Sequence, residues 1–108
     1  MTNLVAAVVL LASWEQFDDS GKIAANGKAF NPAAMTCATR LWPLGTILKV
    51  RDTHNGFTVT VRVTDRPARR FGHSRIDLSP AAFQVLAGLD KGLDEVEVSS
   101  LPNAIKTR

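Results

Sequence analysis

Asp65 and Asp77 are the residues of this chain whose type and spacing point most directly to chemistry. Asp65 closes the alternating run FTVTVRVT and opens an arginine-rich loop, and Asp77 follows after that loop, just ahead of a capped helix signal. Two carboxyl groups brought together after one strand and one loop can share acid and base work on a glycosidic bond: protonating the leaving oxygen and managing the charge that develops on the sugar. Each aspartate also has a structural reading. Asp65 can cap its loop or pair with Arg62 or Arg66, and Asp77 can satisfy backbone amides ahead of the helix.

The elements that must position these groups are mostly strands. Phe57, Val59, Val61 and Val63 share one face of a strand, and Thr58, Thr60, Arg62 and Thr64 share the other. Before it, Thr46 to Arg51 alternates with Leu48 and Val50 on one side, and Asn55-Gly56 supplies the tight turn between the two strands. After the loop, Ser79 is a good N-cap and Pro80 fits the first helical position. The helix carries Ala82, Phe83 and Leu86 inward and stops near Gly88. Asp94 to Ser99 alternates again, with Val96 and Val98 inward and the glutamates outside. Ser20 to Gly27 is turn-rich, and Phe30-Asn31-Pro32 continues that irregular path. The apolar run Leu4 to Ala12 is too short to span a bilayer and has no preceding Lys or Arg. It reads as a buried first strand, VVLLASW, rather than a signal segment. Residues 1–100 are expected to form one domain and residues 101–108 a C-terminal tail. Short strands around one helix, without a βαβ repeat, indicate a mainly β protein built as a small barrel.

Composition sets outer limits. The chain has 108 residues, 45% hydrophobic and 21% charged, which suits one ordinary globular domain with its own core. Its single cysteine, Cys37, excludes an intrachain disulfide and reads as a small buried hydrophobe. No His/Cys cluster has zinc-ligand spacing, so neither a metal nor a cofactor is expected. A net charge of +3 suits any acidic partner: a cell-wall polymer, a membrane surface or nucleic acid. Arg62, Arg66, Arg69, Arg70 and Arg75, with Phe71 among them, raise nucleic-acid binding as an alternative. The charge is local and no DNA- or RNA-binding motif accompanies it, so nucleic acid is not the expected partner. Trp42 offers either a flat face for sugar stacking or core packing, Trp14 reads as packing, and His54 sits in the hairpin turn at the surface.

The succession ASW, AANGKAFNPAAMT, LWPLGTILKV, HNGFTVTVRVTDR and RIDLSPAAFQVLAG resembles the RlpA-like double-psi β-barrel family, over residues 11 to 99. That family is named after rare lipoprotein A and is related to the catalytic-like domain of expansins. The resemblance implies a six-stranded double-psi β-barrel with one or two short helices. It also implies a lytic transglycosylase acting on peptidoglycan, in which the muramyl 6-hydroxyl attacks its own anomeric carbon and leaves a 1,6-anhydro end. Expansin-like loosening or binding of glycans is the alternative it implies. The aspartate of the family's DRGP motif falls on Asp65, and that of its IDLS motif on Asp77. The family glutamate after the ANG turn is replaced by Lys28, and the histidine of its TAAH motif by Thr39.

These departures have physical consequences. Lys28 and Arg66, if both approach Asp65, favour an ionised aspartate, a poor acid but a good ligand for sugar hydroxyls. Loss of the histidine removes a ready proton shuttle, and His73, in the loop after Asp65, is the one candidate replacement. The reading that results has Asp65 as acid/base residue and Asp77 orienting substrate or supporting the acid. Thr39, Trp42, Lys28, Arg66 and Arg75 are the substrate-binding candidates, with the arginines steering anionic muramyl or wall groups. Glycan strands are the expected partner. The expected location is the cell envelope, periplasm or exterior, or a phage virion with its protein partners, with no membrane span.

Overall fold

The computed structural model describes residues 6–102. Six strands are present: β1 (Val8–Trp14), β2 (Thr36–Ala38), β3 (Ile47–Asp52), β4 (Thr58–Asp65), β5 (Arg75–Leu78) and β6 (Asp94–Ser100). One helix, α1 (Pro80–Leu86), follows β5 directly, and short 3-10 turns occupy Phe17–Asp19, Arg69–Phe71 and Leu89–Lys91. The strands close into a barrel in the order β1-β5-β2-β4-β3-β6. β1 runs parallel to β5 and β2 parallel to β4, while the remaining pairs are antiparallel. Closure removes exposed sheet edges, so the described residues carry no long unpaired strand edge.

The core follows from strand alternation. Leu10 and Ala12 of β1, Leu48 and Val50 of β3, Val59, Val61 and Val63 of β4, Ile76 and Leu78 of β5, and Val96 and Val98 of β6 fill the interior. α1 covers this core with Ala82, Phe83 and Leu86, packing against β1, β4 and β5. Its cap is the one the sequence announces: Ser79 Oγ accepts from Ala82 N at 3.2 Å and donates to the Ala34 carbonyl at 2.6 Å.

Two expectations change. β1 is half-buried rather than buried, because every second residue faces outward and Val9 and Leu11 are exposed. Phe57 is 59% exposed and does not join the face of Val59, because β4 begins only at Thr58, after the hairpin turn. The short strand β2 lies in a stretch without a sequence pattern of its own. At the other end Leu101 N still donates to the Ile47 carbonyl at 2.9 Å; residues 103–108 of the expected tail, and Leu4 and Val5 of the apolar run, lie outside the described residues.

Alternation along β3 carries a charged residue inside. Asp52 follows Leu48 and Val50 on the inward face and is fully buried, and Asp94 at the start of β6 is buried beside it. Asp52 Oδ1 accepts from His54 N at 2.7 Å and Asn55 N at 2.8 Å, which shapes the hairpin turn. Gly56 completes that turn at φ 79°, a conformation open to glycine. Lys91 Nζ lies 2.6 Å from Asp94 Oδ1. Burial, then the hydrogen bond to Asp52, raises the Asp94 carboxyl above its ordinary value. Burial also pushes Asp52 upward, but bonds from Asp94 and from the Asn55 and His54 amides outweigh it and hold Asp52 below its ordinary value. Opposite shifts in two adjoining buried carboxyls are what one proton held between them produces. The depressed Asp52 adds stability that is present above the unfolded carboxylate range and lost as pH falls through its folded value. The raised Asp94 adds stability at low pH that is lost as pH rises through its own.

Asp52→Ala deletes the acceptor of two amides and leaves Asp94 without its partner, so urea denaturation at pH 7 should show a loss of about 2–3 kcal/mol. Asp52→Asn keeps the acceptor oxygen and offers Asp94 a permanent N–H donor. It should cost less than about 1 kcal/mol and flatten the dependence of stability on pH. Equal losses in both variants would rule out the shared proton.

Candidate active site

The register of the barrel brings the two aspartates to one place. Ser13 of β1 stands opposite Asp77 of β5, Asp77 opposite Ala38 of β2, and Ala38 opposite Asp65 of β4. The aspartates thus flank Ala38 across two strand spacings, roughly 10 Å between their backbones. Alanine at this central position keeps the floor between them low. Between Cys37 and Ala38 the β2–β4 register slips, passing from Val63 to Asp65 and skipping Thr64. Such a bulge bends the strand and re-aims the next side chain, here Asp65 at the end of β4. The result is a cleft of about 440 Å³ whose lining includes Ser13, Glu15, Asp65, Arg66, Arg75 and Asp77.

Each group is held differently. Asp65 Oδ1 accepts from Ala25 N at 2.9 Å and Arg66 N at 2.8 Å, so it pins the AANG loop over the end of β4. Asp77 Oδ1 accepts from Ser13 Oγ. Arg66 spends its guanidinium on structure, with Nη1 donating to the Thr39 carbonyl at 2.5 Å and the Trp42 carbonyl at 2.7 Å. Phe71 joins the lining, with the Arg70 guanidinium 4.7 Å and that of Arg75 4.5 Å from its ring centre. A cationic and aromatic cluster therefore adjoins an acidic floor. Trp14 joins the lining while packing on the core, its Nε1 donating to the Leu89 carbonyl at 2.9 Å.

Glu15 is the site residue that the sequence reading omits. It lies just past β1, and its N–H extends the β1–β5 ladder to the Leu78 carbonyl at 2.8 Å. Ala12 and Trp14 pack inward, so Ser13 and Glu15 share the outward face that also carries Asp77. Glu15 Oε1 is buried and has no hydrogen-bond partner among the described residues. Burial first, then the charges of Asp65, Asp77 and Asp19, push the Glu15 carboxyl up to about 8. Period-2 reading of SWE from Ser13 onward was the signal for it.

A family model described as lytic transglycolase matches residues 8–98. The chain belongs to the RlpA-like double-psi β-barrel family. It is 42% identical over 82 residues to a probable endolytic peptidoglycan transglycosylase RlpA of Nostoc, covering 76% of this chain and 22% of that protein. It is 44% identical over 89 residues to the endolytic peptidoglycan transglycosylase RlpA of Campylobacter jejuni, covering 82% and 32%. The chain thus spans a third or less of the length of these relatives. Among solved structures, the Streptomyces papain inhibitor superposes with a TM-score of 0.73 at 23% identity, covering 90% of this chain and 96% of that one. A Clavibacter michiganensis expansin mutant in complex with cellohexaose gives 0.71 at 22%, covering 90% and 51%. These two share the fold.

Against the RlpA-like pattern, the candidate residues fall into two groups. Asp65, Asp77, Arg66 and Arg75 all line the cleft. Thr39 does not, which corrects its reading as a sugar contact: it is fully buried, and its Oγ1 accepts from Leu41 N at 3.2 Å within the chain's own turn. Trp42 is half-buried against the core and is absent from the lining of this cleft. Lys28 lines a separate hollow of about 230 Å³ with Asn26, Arg62 and Thr64. Among the described residues neither Lys28 nor Arg66 pairs with Asp65. His73 is exposed and outside the cleft lining, and Cys37 is buried in the core, where burial pushes its thiol up. Asp52, His54 and Asp94 bring metal-ligating atoms within 4.8 Å of one another, but Lys91 already pairs with Asp94 there.

Proposed function

We propose that this barrel is a lytic transglycosylase domain that cleaves peptidoglycan glycan strands between N-acetylmuramic acid and N-acetylglucosamine without water. The observation that carries the reading is the convergence of Asp65 and Asp77 on one open cleft of an RlpA-like barrel. Asp65 commits Oδ1 to two backbone amides, and Oδ2 makes no bond within the described residues. That oxygen is placed to stabilise positive charge on the muramyl ring and to accept the 6-hydroxyl proton as the anhydro bond forms. Asp77, steadied by Ser13, orients sugar hydroxyls. Arg70 and Arg75, stacked on Phe71, suit the muramyl lactyl carboxylate.

Glycan binding without cleavage is the second reading, favoured by Lys28 and Thr39 at the family's glutamate and histidine positions. The place of action in either case is the cell wall, reached from the envelope or by a phage virion. No helix of the described residues is long and apolar enough to cross a membrane. Digestion of purified peptidoglycan, read by mass spectrometry, should release fragments with 1,6-anhydro ends. Absence of such ends, with the protein still sedimenting with the sacculi, would replace the enzyme by the binding module.

A further inference from the structure

We propose that Glu15 is the proton donor of this cleft, taking the acid role that the chain's departures at Lys28 and Thr39 leave open. The inference deepens the transglycosylase reading and rests on it. Its basis is geometric. Glu15 lies two residues beyond Ser13, just past the end of β1 on the cleft-facing side, one side-chain step along the strand from the cross-strand row Ser13, Asp77, Ala38, Asp65. Among the described residues it is the cleft carboxyl with a buried oxygen that no donor satisfies, whereas Asp65 and Asp77 each have an oxygen bound by the protein's own donors. An unpartnered carboxyl oxygen beside two other carboxyl groups is the arrangement in which one group keeps its proton. Burial and those neighbours keep Glu15 protonated up to about pH 8, where an acid is still available at neutral pH.

The step balances with the groups present. Glu15 gives its proton to the glycosidic oxygen as the bond to the muramyl anomeric carbon breaks and its electron pair leaves with that oxygen. The 6-hydroxyl oxygen of the same muramyl residue bonds to the anomeric carbon, and its proton passes to Asp65. Proton return from Asp65 to Glu15 through water in the cleft restores the starting state. No water is consumed and no oxidant or metal is required.

The test uses the whole chain with intact peptidoglycan. Glu15→Gln is nearly isosteric, and melting curves check that it folds. Release of anhydro ends should fall about 10²- to 10⁴-fold at pH 7. Wild-type activity should be flat at neutral pH and fall as pH rises through about 8, where Glu15 ionises. Residual activity of Glu15→Gln should lack that alkaline limb. Asp19→Asn, which removes one of the neighbouring charges, should move the limb to lower pH. Carbon-detected NMR of the free wild type should find the Glu15 carboxyl titrating near 8. Unchanged cleavage by Glu15→Gln, or a Glu15 midpoint in the ordinary carboxylate range, would overturn Glu15 and leave the transglycosylase reading standing. Failure of the wild type to form anhydro ends at any pH would overturn that reading and the donor role with it.

Discussion

Asp65→Asn should reduce release of anhydro ends about 10³-fold while leaving the melting temperature almost unchanged. The two halves of this expectation come from different oxygens. Asparagine retains a carbonyl oxygen able to accept from Ala25 N and Arg66 N, so the AANG loop stays pinned to the end of β4. What it loses is the negative charge, and with it both the stabilisation of a cationic ring and the acceptor for the 6-hydroxyl proton. Asp65→Ala should be inactive as well but should also release both amides, costing about 1–2 kcal/mol in urea denaturation. The pair of variants separates charge from scaffold. Glu15→Gln combined with Asp65→Asn should cost far less than the product of the two single losses, because both groups serve the same event. Wild-type cleavage rates in Asp65→Asn would remove this aspartate from the chemistry, whatever its place in the cleft.

Why Asp65 and Asp77 were legible in the sequence, and Glu15 was not, has a physical basis. Asp65 ends the cleanest alternating strand of the chain, and Asp77 precedes a helix with a strong cap, so local pattern locates both. Glu15 lies just past β1, and in the sequence an unbroken apolar run from Leu4 to Ala12 precedes it, which masks the parity that puts Ser13 and Glu15 outward. Its environment is made by β5 and by Asp65 and Asp77, none of them near in sequence. The Asp52–Asp94 pair was hidden likewise: alternation along β3 points Asp52 inward, but only pairing with β6 supplies its partner. Thr39 shows the opposite failure. The motif position is right, yet the turn after β2 folds the smaller side chain under its own backbone. Motif order therefore carried the barrel and its floor, while side-chain reach depended on contacts that no local pattern encodes.

Phe83→Ala should be the most destabilising single truncation in this barrel, at about 3–5 kcal/mol. Phe83 is the bulkiest fully buried side chain of the barrel, and it sits in the one helix that covers the core. Removing its ring costs the transfer energy of the lost atoms and leaves a void bounded by strands whose mutual hydrogen bonds resist collapse. In a domain of this size each kcal/mol moves the melting temperature by about 4–8 °C, so the variant should melt some tens of degrees lower. Phe83→Leu should keep most of the loss below about 1.5 kcal/mol. Val85→Ala provides the control on the same helix, because Val85 is 41% exposed and should change stability by less than about 0.5 kcal/mol. The effect should reach the cleft as well, since Asp77, Leu78, the cap Ser79 and the helix are consecutive. A loosened helix seat frees the end of β5, so Phe83→Ala should lose cleavage at temperatures well below its own melting point, whereas Val85→Ala should not. A loss of less than about 1 kcal/mol in Phe83→Ala would mean that the barrel strands, and not the helix on them, supply the cooperativity of the fold.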